Sequence, residues 1–430
     1  MHFICTWRAK SEYVETNTGS ERTMKGDSVM HVLMIGTLVP DEIERFCYMN
    51  GCRVSAADIA QRYILHGLQK QKEVDSVDVI GAIRVKPWPK IKVLRFPSGK
   101  ELIKKGSIES CGYLNFSTIG FWLREVSLCQ KAKNWACAHK QNTNVVIFVY
   151  AMSSSGLKAA YTVKKVIPHA KLILCVPDLP LLMKPGNHLR AFAKQVDWMR
   201  INWFARQVDG YLLYTKYMSE YLCLGSDKWM LFEGLIDEER IIEKNQEKYD
   251  MRVCLYAGNL DARYGIDMLI EAFRYVNKGA MLLIYGKGTE EEQEHLNKLI
   301  SGVDNVAYKG HVTQDEIYEI MKRSTLLLNP RPTSLALTKY SCPSKTFEYM
   351  ASGTPLVMNR LSGLPDEYST YVTFFAGESP EQYAETINDM LSKSEVELKQ
   401  IGMRAAQFLR ENKNSSQVME RVLRFAETLR

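Results

Sequence analysis

The residues best suited to chemistry lie in the stretch YSCPSKTFEYMASGTPLV, in the second half of the chain. Phe347, Met350 and Ala351 recur at helical spacing and predict the buried face of a helix. Lys345 and Glu348 fall on the other face, where packing does not require them. One interpretation is an exposed i, i+3 ion pair, worth only roughly a few tenths of a kcal/mol. The other is a binding or catalytic role, which the neighbouring loops favour.

Three further loops in this half join glycine or proline to a basic residue. LYAGNLDARYG contains Arg263, IYGKG contains Lys287, and LNPRP contains Arg331. Glycine after a strand lets the backbone approach a phosphate, and the next helix offers unpaired N–H groups, although each loop alone is better explained by a simple turn. With Lys345, four cations would share one edge of a sheet and repel one another. Together they predict a diphosphate between them.

The elements that would position these residues are short apolar strands alternating with helices. A buried strand begins at Met30 in MHVLMIG, and VVIFVY, KLILCV and GYLLYT continue the pattern. After a charged linker, DEERIIEKNQEKYD, the alternation restarts with RVCLYAG, MLLIYG, NVAYKG, TLLLNP and TPLV. This pattern predicts an α/β protein with two doubly wound Rossmann-like domains that face each other across a cleft.

We expect four segments in the chain of 430 residues. Residues 1–29 show no periodicity and predict either a disordered extension or the product of too early a start codon. Residues 30–240 form an N-terminal domain, and residues 250–405 form a C-terminal domain. Residues 406–430 form a terminal helix. Two domains agree with a length that exceeds one ordinary hydrophobic core.

Composition narrows the class of protein. No apolar run is long enough to span a bilayer and the N-terminus lacks a signal-peptide layout, so we expect a cytoplasmic protein. The 10 cysteines contain no C-x-x-C pair and indicate reduced thiols. No Asp-x-Asp pair is present either, and we predict no metal site.

Residues 1–250 carry a formal charge of +9 and the rest −2, which indicates a solvated face or an anionic partner. Nucleic acid is disfavoured, because no helix-turn-helix, zinc or RNA-recognition motif is found.

The region from Lys86 to Lys140 is rich in lysine and aromatic residues, including Phe116, Phe121, Trp122 and Trp135. We predict helices there. Such a composition suits peripheral contact with the anionic inner face of a membrane and with a polyprenyl diphosphate acceptor. The alternative is structural, with aromatic rings in the core and lysines in water.

Several segments together resemble one known family: AGNLDARYGIDMLIEAF, IYGKG, NVAYKGHV, LLLNPRP, PSKTFEYMASGTP and GLPDEY. They look like the C-terminal half of family 4 glycosyltransferases of the GT-B type, especially bacterial enzymes of surface-polysaccharide synthesis. The resemblance implies a retaining hexosyltransferase that uses a nucleotide-diphosphate sugar and a glycan or lipid-linked acceptor, with no cofactor. It also implies that the terminal helix crosses back and ties the two domains together.

The resemblance assigns residues as well. Glu348 matches the glutamate that accepts hydrogen bonds from the ribose hydroxyls, and the helix start before it faces the diphosphate. We therefore predict Arg263, Lys345 and Glu348 as catalytic residues. Gly36 and Asp178 end strands of the N-terminal domain and are candidates for the acceptor side, although Asp178 could equally cap a turn. The predicted donor-binding residues are Gly258, Asn259, Gly286, Lys287, Arg331, Tyr340, Pro343, Ser344 and Thr346.

Two positions depart from the family pattern. Tyr340 stands eight positions before Glu348, where a second glutamate near the transferred sugar is usual. Tyr264 stands where a lysine usually holds the diphosphate, and either Arg263 or Lys345 would replace it. Two alternatives therefore remain: a non-catalytic scaffold or regulator that binds nucleotide sugar in a polysaccharide complex, and a nucleotide-sugar epimerase of the same fold.

Overall fold

The computed structural model describes most of the chain, in five stretches: residues 29–52, 56–182, 188–242, 246–342 and 344–429. Residues 1–28 of the extension predicted at residues 1–29, and the predicted donor-binding residue Pro343, lie outside these described residues.

Within the described part of the first half, the central strands are apolar on both faces. In β7, VVIFVY, every residue is buried, as expected of a parallel strand covered by helices on both sides. The strands are β1 (Met30–Gly36), β2 (Val74–Gly81), β3 (Arg95–Phe96), β4 (Gly99–Ile103), β5 (Gly106–Ser110), β6 (Tyr113–Leu114), β7 (Val145–Tyr150), β8 (Lys171–Val176), β9 (Gly210–Leu213) and β10 (Trp229–Leu231). The helices are α1 (Asp41–Met49), α2 (Ala56–Gln69), α3 (Ser117–Ala138), α4 (Ser154–Val166), α5 (His188–Ala205) and α6 (Tyr217–Tyr221).

These strands form a sheet in the order β10-β9-β8-β7-β1-β2-β5-β4, which is parallel except for the β4–β5 hairpin. β3 and β6 form a separate antiparallel pair. Helices were predicted in the region of residues 86–140, but the helix found there is α3. Residues 95–114 contain the strands β3 to β6, so the prediction is wrong for them. These four strands are two to five residues long, too short for a sequence period to reveal them.

The second half forms a parallel sheet in the order β13-β12-β11-β14-β15-β16. Its strands are β11 (Arg252–Asn259), β12 (Ala280–Lys287), β13 (Val306–Tyr308), β14 (Leu326–Asn329), β15 (Leu356–Met358) and β16 (Thr373–Phe374). Its helices are α7 (Ile266–Ala272), α8 (Glu290–Ile300), α9 (Gln314–Arg323), α10 (Ser344–Ala351), α11 (Pro380–Ser392), α12 (Glu395–Asn412) and α13 (Ser415–Thr428).

Three helices of this half begin with a sequence-encoded capping box. Thr289, Thr313 and Ser394 each accept a hydrogen bond from the backbone N–H three residues later, and the glutamate at that position bonds back. Each box satisfies two backbone donors that a helix start otherwise leaves unpaired. The pattern Ser/Thr-x-x-Glu therefore fixes where α8, α9 and α12 start.

The last two helices connect the two halves. α12 packs on the second half, where a Cβ on Gly402 would lie 1.9 Å from the carbonyl O of Gly353. α13 packs on α2, where a Cβ on Gly67 would lie 2.3 Å from the carbonyl O of Ser415. The chain passes between the halves after Asn412, the last residue of α12. There the backbone N–H of Ile236 donates to the carbonyl O of Lys413 at 3.1 Å.

Candidate functional site

The carboxyl ends of the two parallel sheets meet in an interdomain cleft. After β9, Thr215 Oγ1 donates to the carbonyl O of Lys339 at 2.9 Å. The Tyr221 ring meets the Tyr340 ring edge to face, with 5.6 Å between centroids. These contacts join loops from both sheets at the edge where ligands bind in open α/β folds.

Helix α10 has the two faces that its spacing predicts. Phe347, Met350 and Ala351 are at most 2% exposed, which confirms the predicted buried face. Lys345 and Glu348 are partly exposed on the other face. The first residue of α10 is Ser344, so the free N–H groups of the helix start lie beside Lys345.

Lys345 is a cation held close to the backbone of β11. Its Nζ lies 5.7 Å from the centroid of the Tyr256 ring, and a Cβ on Gly258 would lie 2.4 Å from the same Nζ. Glycine at position 258 therefore makes room for the ammonium group. Burial and the nearby Arg331 lower the pKa of Lys345 to about 8, although Glu348 opposes the shift. An anion in the cleft would stabilise the charged form.

Glu348 lines a narrow cavity between the two halves. Burial raises the pKa of its carboxyl group, and Lys345 and Arg240 oppose that shift. Arg240 is itself bound to Asp315 at 2.8 Å. The other lining residues come from α2, the connection after β10 and α9: Tyr63, Ile236, Arg240, Gln314, Ile317, Tyr318 and Met321.

Arg331 is the second cation of the site. Its Nη2 donates to Ser341 Oγ at 3.1 Å, whereas its buried Nε has no acceptor among the described residues. Burial lowers the pKa of Arg331, and the Asp178 carboxylate from the opposite domain raises it. Arg331 thus carries a buried donor directed to no protein acceptor that the structure describes. A bound anion would satisfy this donor.

Two more polar side chains near these residues lack partners. Thr346 is fully buried in α10, and its Oγ1 makes no hydrogen bond within the described part of the chain. Asn329, the last residue of β14, has an unpartnered Nδ2 by the same criterion. Buried polar atoms without partners are uncommon in folded proteins. Asn329 stands two residues before Arg331 and Thr346 directly follows Lys345, so both unpartnered groups support a polar ligand at this site.

The glycines of the site allow close backbone approach. Gly258 and Gly286 pair across β11 and β12, and a Cβ on Gly286 would lie 1.8 Å from the carbonyl O of Gly258. Gly265 has φ +85°, and a Cβ there would lie 2.1 Å from the carbonyl O of Pro330. Asn259 Oδ1 accepts from the backbone N–H of Asp261 at 3.1 Å and shapes the same loop.

The four predicted cations do not all converge. Arg263 is exposed, and its Nε lies 2.9 Å from Asp261 Oδ2. Its Nη2 binds the same carboxylate. Lys287 is exposed at the end of β12. The structure therefore brings Lys345 and Arg331 together and leaves Arg263 in a local ion pair at the surface. To bind a diphosphate, Arg263 would first have to leave Asp261.

Gly36 and Asp178, the two residues predicted for the acceptor side, have different surroundings. A Cβ on Gly36 would lie 1.8 Å from Gln61 Oε1, so contact with Gln61 explains this glycine without a ligand. Asp178 follows β8, and burial raises the pKa of its carboxyl group while Arg331 opposes the shift. Asp178 and Arg331 thus interact across the cleft. Tyr340, where a family glutamate was expected, packs against Tyr221.

Arg240, which the structure places near Glu348, was not predicted as a site residue from the sequence. Arg240 lies in the charged segment predicted to be a linker, and no local pattern distinguishes it from its neighbours. Among the described residues, no group of three or more His, Cys, Asp or Glu side chains could hold a metal ion.

Comparisons with known proteins concern the fold and one part of the sequence. Residues 251–393 match the family described as "Glycosyl transferases group 1". A comparison with curated protein sequences finds no significant match. Among solved structures, sucrose-phosphate synthase from Thermosynechococcus elongatus aligns with a TM-score of 0.64 and 12% identity, covering 92% of this chain and 98% of that chain.

Two other solved structures also align along nearly their whole length. Anabaena HepE in complex with UDP has a TM-score of 0.61 and 12% identity, covering 93% of this chain and 100% of that chain. The lipopolysaccharide outer core galactosyltransferase WaaB in its apo form has a TM-score of 0.57 and 13% identity, covering 92% and 99%. The predicted fold class, two Rossmann-like α/β domains of the GT-B type, is confirmed. Residues 251–393 therefore match the group 1 glycosyltransferase model, and the fold is that of GT-B glycosyltransferase structures.

Proposed function

We propose that the chain transfers a sugar, with retention of configuration, from a nucleotide-diphosphate sugar in the interdomain cleft to a glycan or lipid-linked acceptor of cell-surface polysaccharide. The observation that carries this proposal is the pairing of Lys345 with Arg331, whose buried Nε has no acceptor among the described residues. Arg331 is close enough to help lower the pKa of Lys345, and two neighbouring cations favour a multiply charged anion between them. We assign Glu348, one turn along α10, to the ribose hydroxyls.

The proposed chemistry depends on charge. Cleavage of the bond between sugar and diphosphate leaves negative charge on the phosphate oxygens. Lys345, Arg331 and the start of α10 would stabilise this charge without moving, because the protein holds them in place beforehand. The acceptor hydroxyl attacks from the face that the diphosphate leaves, and the leaving phosphate takes its proton. This route needs no protein nucleophile.

A nucleotide panel tests the donor site. One of UDP, GDP, ADP or CMP is expected to raise the melting temperature, because a ligand at 100 times its Kd adds about 2.7 kcal/mol of stability. Glu348→Ala is expected to lose most of that gain, since it removes the carboxylate assigned to the ribose. The matched control is Glu319→Ala on α9, whose side chain is 61% exposed and paired only at i, i+3. If no nucleotide stabilises the wild type, the proposed donor site is wrong.

We also propose that the first half of the chain makes peripheral contact with a membrane surface. Along the described residues, no helix is long and apolar enough to cross a bilayer. Trp88, Phe116, Phe121 and Trp122 are 40–60% exposed, whereas Trp135 donates to Asp78 at 2.9 Å and belongs to the structure. Exposed aromatic rings among lysines suit a peripheral site on an anionic lipid surface.

Liposome flotation tests this contact. The wild type is expected to bind anionic vesicles at low salt and to leave them as salt rises, because screening weakens the attraction. Trp122→Ser is expected to reduce binding, since it removes a ring that would enter the headgroup region. Tyr275→Ser, at a ring 54% exposed on the second half, is the control and should bind normally. Equal binding of all three proteins would exclude the predicted surface.

A second candidate function is a non-catalytic subunit that binds nucleotide sugar and regulates a polysaccharide complex. Two observations favour it: Arg263 is held by Asp261, and Tyr340 occupies the place of the expected glutamate. This function predicts nucleotide binding without release of nucleotide from the sugar donor. Turnover measurements with the nucleotide found by the panel separate the two functions.

A further inference from the structure

We propose that a cavity in the N-terminal domain binds a phosphate-class anionic group of the acceptor, with Arg84 as its principal ligand. This inference rests on the proposed sugar transfer and names the chemical class of its acceptor. The cavity has a volume of about 220 Å³ and lies at the carboxyl ends of β1, β2 and β7. Its lining includes Thr37, Asp58, Arg84, Val85, Tyr150 and Ala151.

Arg84 lines this cavity and forms no ion pair within the described residues. It stands three residues after β2, and its Nη2 donates to Ser153 Oγ at 2.6 Å. Burial lowers the pKa of Arg84 to about 10, with a smaller contribution from the nearby Arg124, and Asp197 opposes the shift. A cation with a second cation nearby and no ion-pair partner is poised to accept an anion.

The backbone around Arg84 also favours an anion. Ser153 caps α4, a helix of 13 residues, and accepts from the N–H of Gly156 at 3.3 Å. Arg84 is therefore bonded to the residue that starts this helix, where the helix dipole is positive. Ala151, which lines the cavity just before this cap, has φ +68°. A non-glycine residue in the left-handed region is uncommon and recurs at ligand-binding loops.

The acidic groups of the cavity are already bonded. Glu44 forms an ion pair with Arg62. Asp58 accepts a hydrogen bond from Thr37, whose backbone N–H in turn donates to Gln61 Oε1 at 2.9 Å. The cavity thus has a polar end suited to sugar hydroxyls and an Arg84 end suited to a phosphate group. A guanidinium presents parallel donors that match phosphate oxygens.

The cavity lies near the exposed aromatic residues of the first half. Arg124 Nη1 donates to the carbonyl O of Ile83 at 3.3 Å, directly before Arg84 in the chain. The Arg124 guanidinium also lies 5.4 Å from the centroid of the Phe121 ring. The chemistry at Arg84 fits either a lipid-linked phosphate or a soluble sugar phosphate, and the test separates them.

Titration calorimetry tests the inference with two probes, farnesyl phosphate and glucose 6-phosphate. Farnesol and glucose are the uncharged controls. At least one phosphate probe is expected to bind the wild type, and Arg84→Gln is expected to weaken it at least about tenfold, because charge-assisted hydrogen bonds are lost. Arg84→Lys keeps the charge and should lose less. Binding of farnesyl phosphate alone assigns a lipid-linked acceptor, and binding of glucose 6-phosphate alone assigns a soluble one.

Two controls keep this result separate from the donor site. Nucleotide stabilisation should survive Arg84→Gln, whereas Lys345→Ala should lose nucleotide stabilisation and keep the phosphate probe. Unliganded melting temperatures show whether each variant is folded. The inference is overturned if neither phosphate probe binds the wild type. It is also overturned if Arg84→Gln and Arg84→Lys both bind the phosphate probe as tightly as the wild type does. Failure of the nucleotide panel alone would overturn the proposed sugar transfer and leave the Arg84 result standing.

Discussion

Replacing Lys345 with alanine is expected to lower kcat about 10²–10³-fold, measured as release of nucleoside diphosphate from the sugar donor. Lys345 Nζ sits against Gly258 at the end of β11, where a leaving phosphate would accumulate charge. A fixed cation in a partly buried site acts on that charge more strongly than one in water. This is the largest effect on turnover that we expect from a single substitution.

The pH dependence of donor binding provides a control for this assignment. Burial lowers the pKa of Lys345 to about 8, so the ammonium form is present below that pH and is lost as pH rises through it. Donor affinity should therefore fall above about pH 8 in the wild type. Lys345→Arg should keep part of the activity and remove this alkaline decline, because a guanidinium stays charged. An unchanged decline in Lys345→Arg would assign the titration to another group.

Local patterns predicted much of the fold and one part of the site. The faces of α10 followed from the spacing of Phe347, Met350 and Ala351, because helical period and burial are linked by geometry. Fully apolar runs such as VVIFVY predicted the parallel strands, because a strand covered by helices on both faces is buried along its whole length. The short strands between residues 95 and 114 escaped prediction, since two to five residues carry no measurable period.

The remaining parts of the site depend on contacts between distant segments. Arg263 looked equivalent to Arg331 in sequence, yet Asp261, two residues away, binds its guanidinium. That partner was visible in LDARYG, but the preference of Arg263 for it over a diphosphate could not be deduced from spacing. Arg240 and Arg84 acquire their roles only when residues far apart in sequence come together. No local pattern encodes such contacts.

The buried ion pair at the passage between domains gives the largest expected effect on stability. Lys413 Nζ lies 2.6 Å from Glu233 Oε2, and their side chains are 10% and 5% exposed. Tyr368 OH donates to the same oxygen at 2.7 Å. Lys413→Met is expected to destabilise the protein by about 3–5 kcal/mol, because Glu233 would keep a buried charge without its cation. Urea unfolding of the wild type and variant measures the difference.

The double variant Glu233→Gln/Lys413→Met separates the cost of an unpaired charge from the contribution of the pair. It should be more stable than Lys413→Met alone, since a neutral amide can still accept from Tyr368 and removes the buried charge. Arg424→Ala is the matched surface control, because its i, i+4 partner Glu420 is 45% exposed, and such pairs are worth about 0.3–0.5 kcal/mol. A loss for Lys413→Met no larger than that of Arg424→Ala would show that the pair does not hold the passage together. A large loss would mean that the relative position of the two domains, and hence the cleft, depends on a contact more than 175 residues apart in sequence.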